Sequence, residues 1–278
     1  MHASKQRSQL RRNRLLISCM AIAVLIASLT GCTGNAEGDD DGSKKRVELI
    51  VSAAASLQDS LNAIEPLYEE RNPGIDLIMN YGSSGALQKQ IEQGAPADLF
   101  LSAGAKQIEA LTSAGLVRDA VNVLSNQLVA IVSEEASADI EKLQDLPAAG
   151  FRAIAIGDPE VVPAGSYARE ALIGAGIWEE VESKLVMAKD VRQVTTYVET
   201  GNAELGFVYK TDALGSDRAI VAFEVDSALH APIRYPAGIV ARSEHRQEAE
   251  RFLAYLKGEA ASAVFESYGF RTLAEESN

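Results

Sequence analysis

Residues 47–82 read VELIVSAAASLQDSLNAIEPLYEERNPGIDLIMNYG. The first eight, Val47 to Ala54, are apolar and rich in β-branched side chains over the length of a strand. Leu57, Leu61, Ile64 and Tyr68 then recur at helical spacing, with Pro66 late in the pattern as an expected kink. Ile75 to Gly82 returns to a strand. Two strands joined by a helix read as a parallel crossover unit, which makes the chain an α/β protein with helices packed on sheets.

The alternation continues. Leu87 and Ile91 mark a helix that Gly94 and Pro96 stop. Further strands are expected at 98–103, 128–132, 153–156, 184–187, 205–209, 219–223 and 238–241. Helices are expected near 106–114, 166–172, 191–199, 246–256 and 260–267. About nine strands crowd a single sheet, so two lobes are expected. The segments NQLVAIV (126–132) and YPAGIV (235–240) are extended and suit the crossings. This divides the folded part into lobe I, 46–126 plus 235–278, and lobe II, 127–234. Each is expected to be a mostly parallel sheet flanked by helices. A ligand then belongs in the cleft, at strand C-termini and helix N-termini.

The N-terminus is an export signal. Lys5, Arg7, Arg11, Arg12 and Arg14 precede an uncharged apolar run, with no acid among them. The run is short for a membrane span. Leu29-Thr30-Gly31-Cys32 resembles the lipobox of bacterial lipoproteins, in which the cysteine is lipidated and becomes the first residue. Residues 1–31 are thus expected to be a lipoprotein signal peptide, and the polar, acidic 32–45 a flexible tether. The expected protein is exported and held to the cell membrane by a lipid on Cys32, with its folded part outside the cytoplasm. Cleavage would remove 31 of 278 residues and leave 247. The leader carries five basic residues and no acid, so the net charge of −13 becomes −18. That balance excludes nucleic acid as a partner. Of the two cysteines, Cys19 leaves with the leader and Cys32 is taken by lipid, so no disulfide is expected.

Four strand-to-helix turns carry small residues or capping groups. Ala53-Ala54-Ala55-Ser56 reads as an N-cap with Asp59 three residues on. Gly82-Ser83-Ser84-Gly85 is similar. Residues 157–165 read GDPEVVPAG. Asp190-Val191-Arg192-Gln193 has capping-box spacing. Each turn offers free N–H groups at the positive end of a helix dipole. Several converging on one cleft make an anion site.

AAASL (53–57), GAPADLFLSA (94–103), GDPEVVPAGSYAREAL (157–172), DVR (190–192), GFVY (206–209), and YLKG with YGF near the C-terminus together resemble the molybdate-binding proteins of bacterial molybdate ABC importers. The similarity runs in order from Val47 to Phe270. It implies a two-lobe, type II periplasmic-binding-protein fold. The implied ligand is molybdate or tungstate, so molybdenum enters only as the bound oxyanion and no cofactor is needed. The implied partner is an ABC permease, and a monomer is expected. The implied ligand groups are hydroxyl and backbone N–H of Ser56 and Ser84, backbone N–H of Ala164 and Val191, and the phenol of Tyr209. The second serine lies in the Ser83-Ser84 pair, and alignment from Leu87 backward favours Ser84.

A donor-only site suits a tetrahedral dianion, whereas phosphate carries a proton that wants an acceptor. Sulfate would use the same donors. Adjacent tyrosines of the kind used by ferric-iron binders are missing, since Tyr209 precedes Lys210 and Tyr81 stands alone. An enzyme is not expected. His230 and His245 lie in no motif, and there is no G-x-S-x-G elbow and no Walker A loop.

Overall fold

A computed structural model describes residues 46–133 and 140–273. The expected leader, Cys32 and the tether lie outside these residues. Strand β1 (Val47–Ala54) passes through a 3-10 turn (Ala55–Leu57) into α1 (Gln58–Arg71). Then come β2 (Ile75–Gly82), α2 (Ser84–Glu92), β3 (Leu99–Leu101), α3 (Ala105–Ser113) and β4 (Val117–Ser125). The chain next forms β5 (Leu128–Ser133), β6 (Ile154–Gly157), α4 (Pro163–Gly174), α5 (Trp178–Val181) and β7 (Leu185–Ala188). It continues with α6 (Val191–Glu199), β8 (Leu205–Tyr209), α7 (Lys210–Leu214) and β9 (Ala219–Glu224). It returns through β10 (Arg234–Val240), α8 (Arg246–Leu256), α9 (Glu259–Ser267) and β11 (Arg271–Thr272).

Two sheets result, with strand orders β11-β4-β10-β3-β1-β2 and β7-β6-β8-β5-β9. Helices flank both. The opening unit is a parallel crossover: β1 pairs β2 from Val47↔Ile75 to Ala54↔Gly82. Between them α1 turns Leu61, Ile64 and Tyr68 into the core, below Leu57 of the turn. Full burial of such a side chain stabilises by roughly 1.5–3 kcal/mol. The helix runs on through Pro66, which lies on its exposed face.

Most strands of each sheet run one way, as expected, with β10 and β11 reversed in the first sheet and β5 in the second. In the first, β1 pairs β2 and β3 in parallel, but β10 runs antiparallel to β3 and β4, and β11 antiparallel to β4. In the second, β6 pairs β7 and β8 in parallel while β5 runs antiparallel to β8 and β9. The antiparallel pairs centre on β5 and β10, the strands by which the chain enters one sheet and returns to the other.

Strand β4 was not expected. Its sequence, VRDAVNVLS, carries Arg118 and Asp119, and residues 118–120 are exposed while 123–125 are buried. Asp119 also has φ +54°, which breaks the regular extension.

Candidate ligand-binding site

Each of the five site residues stands where a strand gives way to a helix. β1 ends at Ala54, and Ser56 lies in the 3-10 turn before α1. Ser56 is not the N-cap expected of it: no side chain caps this turn, and the Asp59 carboxylate faces Arg192 instead. At the end of β2 the serine pair divides its work. Ser83 caps α2 by accepting the Ala86 N–H at 3.4 Å, and Ser84 is the first helical residue. After β6, Pro163 and Ala164 open α4. After β7, Asp190 caps α6 by accepting the Gln193 N–H at 2.9 Å, and Val191 is the first helical residue. The Gln193 side chain reaches back to the Lys189 N–H at 2.8 Å, one residue before the cap. Tyr209 ends β8 just ahead of α7.

Close approach ties the two halves together along this seam. Gly85 N–H donates to the Val161 carbonyl at 2.9 Å, from α2 to the turn before α4. A Cβ on Gly85 would lie 2.6 Å from Val161 Cα, so a side chain there would push the halves apart. Gly165 seats α4 on the end of β6, where a Cβ would stand 1.8 Å from the Gly157 carbonyl oxygen. The two outer glycines of GDPEVVPAG thus permit one tight helix-on-strand contact.

The seam is closed to solvent. Ser84 and Ala164 are fully buried, and Tyr209, Val191 and Ser56 are 1%, 4% and 8% exposed. The Ser84 Oγ accepts the Ala103 N–H at 2.9 Å, and the carbonyl of the same Ala103 accepts the Tyr209 O–H at 3.0 Å. Ser84 and Tyr209 are therefore brought to the two sides of one residue. Ser56 Oγ pairs with the Tyr235 hydroxyl at 3.1 Å, and the Tyr235 ring meets the Tyr209 ring edge-on at 5.6 Å. Burial raises the pKa of both phenols well above the usual tyrosine value, so each keeps its hydrogen.

Helix geometry leaves the first N–H groups without intrahelical acceptors. In α2 the Gly85 and Ala86 N–H groups find other partners, which leaves Ser84. In α6 the cap satisfies Gln193, which leaves Val191 and Arg192. In α4 Pro163 has no N–H, so Ala164 is the first donor of that helix. The site's chemistry is thus that of neutral donors. Arg192 is held by Asp59 at 2.7 Å at the exposed edge.

A cavity of about 850 Å³ opens beside this seam, lined among others by Ser56, Asp59, Arg192, Asp212 and Tyr268. Of the five site residues only Ser56 lines it. It is far larger than a four-oxygen anion needs, and the seam itself is the better candidate. Among the described residues no three His, Cys, Asp or Glu side chains cluster to hold a metal ion.

The family model of the bacterial extracellular solute-binding proteins matches residues 49–271. The chain belongs to this family. It is 43% identical over 94% of its length, and 98% of the relative's, to the Bacillus subtilis (strain 168) protein named "Putative ABC transporter substrate-binding lipoprotein YvgL". It is 38% identical to the molybdate-binding protein ModA of Haemophilus influenzae, over 80% of this chain and 89% of the relative. In fold it matches the periplasmic molybdate-binding protein of Azotobacter vinelandii with a TM-score of 0.72, at 24% identity, over 81% of this chain and all of the other. The resemblance to molybdate-binding proteins and the periplasmic-binding-protein fold both hold. A solute-binding protein of this family is a transport component, not an enzyme.

Four features of the seam lie outside the expected site residues: Ala103, Asn126, Tyr235 and the Gly85–Val161 approach. Asn126 and Tyr235 were visible only as the starts of the two crossing segments. Nothing in the local pattern marks Tyr235 as a partner of Ser56, or Asn126 as a partner of Tyr235.

Proposed function

We propose that this protein captures molybdate, and tungstate with it, outside the cytoplasm and delivers it to an ABC permease. Ser56, Ser84 and Tyr209 would give hydroxyl hydrogens, and Ser56, Ser84, Ala164 and Val191 backbone N–H groups. The observation that carries this reading is donor polarity. Ser84 already accepts the Ala103 N–H, which leaves its hydrogen to donate, and the N–H groups of the α2, α4 and α6 starts cannot accept at all. A tetrahedral dianion presents only acceptors, so such a seam satisfies it without a formal positive charge. The relatives named for molybdate support the same ligand.

The proposed halves, 46–126 plus 235–278 and 127–234, part to admit the ion and close over it. The proposal extends to the segments outside the described residues. Residues 1–31 would be removed, Cys32 would carry the lipid, 32–45 would act as the tether, and the folded part would work as a monomer. A relative named as a lipoprotein supports the anchor, and the mass of the membrane-bound form tests it.

Melting temperatures with molybdate, tungstate, sulfate and phosphate in parallel test the ligand. Molybdate and tungstate should stabilise most, by about 2.7 kcal/mol at a hundredfold excess over Kd. Sulfate stabilising more than molybdate would replace the reading with a sulfate carrier.

A further inference from the structure

The polarity of Ser56 depends on two residues at the crossings between the sheets. Asn126 follows β4, and Tyr235 is the second residue of β10. The Asn126 Oδ1 accepts the Gln127 N–H at 2.9 Å, which fixes the orientation of the amide. Its Nδ2 then faces Thr211 Oγ1 at 2.9 Å and the Tyr235 hydroxyl at 3.3 Å. An amide nitrogen only donates, so the Tyr235 oxygen accepts here. The Tyr235 hydrogen is free for its other neighbour, Ser56 Oγ, 3.1 Å away. Tyr235 is 1% exposed, so no solvent competes for that hydrogen. Ser56 Oγ accepts it, and the serine's own hydrogen is left for the seam.

We infer that Asn126 and Tyr235 are positioning residues that occupy one Ser56 lone pair and keep the serine hydrogen for the seam, so that this corner favours the fully ionised oxyanion. A fully ionised tetrahedral dianion meets a donor at this corner. A hydrogen-oxyanion, such as hydrogen phosphate, needs an acceptor somewhere in the seam. A serine hydroxyl has two lone pairs; Tyr235 occupies one, so the relay biases Ser56 toward donating, whereas an unconstrained serine would turn and accept more readily. The inference rests on the reading that places Ser56 against the ligand. It goes further by assigning the selectivity to residues that do not touch the ion.

Two variants separate this from a structural role. Tyr235→Phe keeps the ring and deletes the relay. Asn126→Asp turns the donor into an acceptor: Tyr235 then gives its hydrogen to the carboxylate, Ser56 gives its hydrogen to Tyr235, and a serine lone pair faces the seam. Calorimetry above neutral pH measures molybdate directly and hydrogen phosphate by displacement. Both are dianions there, so the added charge of Asn126→Asp weighs on both and cancels in their affinity ratio. The molybdate-to-phosphate ratio should fall in Tyr235→Phe and fall furthest, at least tenfold, in Asn126→Asp, where the Ser56 hydrogen is spent on Tyr235. An unchanged ratio, with both affinities falling together, would overturn the relay. If wild-type protein takes sulfate instead of molybdate, the molybdate reading fails, while the sulfate-to-phosphate ratio still decides the relay in the same way. Thermal melts of each variant confirm that the ratio is read on folded protein.

Discussion

The Tyr209 hydroxyl, at the end of a strand in one sheet, donates to the Ala103 carbonyl beyond a strand of the other at 3.0 Å. A phenol has one hydrogen. To serve the ion, Tyr209 must take that hydrogen from Ala103 and turn it to the ligand. Tyr209→Phe should therefore show two effects. The unliganded protein should lose about 1 kcal/mol, because the Ala103 carbonyl loses its donor. Molybdate affinity should fall about tenfold to a hundredfold, the range for a hydrogen bond to a charged group. Calorimetry with chemical denaturation checks both, and unchanged affinity would remove Tyr209 from the donor set.

Gly85→Ala and Gly165→Ala should fail differently. The Gly165 Cβ would stand 1.8 Å from a backbone oxygen of the same half, so that variant should lose stability outright. The Gly85 Cβ would strike Val161 of the other half. That variant should keep most of its melting temperature without ligand and lose the stabilisation that molybdate gives. Melting curves with and without molybdate compare them. Equal losses without ligand would contradict the assignment of Gly85 to closure.

Arg192 and Val191 are neighbours with different weight. The Arg192–Asp59 pair is 2.7 Å long, but its side chains are 42% and 52% exposed. Exposed pairs contribute about 0–1 kcal/mol. Arg192→Ala should therefore change molybdate affinity by less than about fivefold. Val191→Ala should also be mild for affinity, because its proposed donor is backbone. Val191→Pro removes that N–H and should cost about tenfold or more. Isothermal titration of the three variants ranks them, and Arg192→Ala as damaging as Val191→Pro would mean that charge, not dipoles, holds the ion.

Asp212 gives the fold a pH dependence. Burial raises its carboxyl from 3.8 to about 7, against the pull of the Tyr209 N–H at 3.2 Å and of Arg192, while Asp59 and Asp190 add to the rise. Between these two values the folded chain holds a proton that the unfolded chain has released. The unfolded state binds fewer protons, so stability from this group declines as pH rises through that window. Asp212→Asn keeps an acceptor for the Tyr209 N–H and removes the titration. Melts from pH 5 to pH 8 should show a flatter profile for the variant, and parallel profiles would contradict the account.

Much of this was legible in the chain. The strand of Val47–Ala54 and the helical stripe of Leu57, Leu61, Ile64 and Tyr68 announced the opening unit because both bury one continuous apolar set. The helix starts at Ser84 and Val191 were legible because caps act locally, while α4 begins at Pro163, three residues ahead of the expected 166. Strand β4 was hidden because Arg118 and Asp119 interrupt its pattern, and sequence alternation carries no information on strand direction at the crossings. Ser56 and Tyr235 lie 179 residues apart. Their hydrogen bond follows from how the crossing at Tyr235 folds against the turn after β1, which no local pattern records. The same holds for Asp59, whose spacing suits a cap but whose carboxylate finds Arg192 across the seam.

Calorimetric titration of the purified protein with molybdate at low and high ionic strength tests the central claim most directly. A seam of buried neutral dipoles predicts one ion per chain and an affinity that changes little with salt, because screening acts on exposed charges. Affinity that collapses as salt rises, or no binding of molybdate at all, would contradict it.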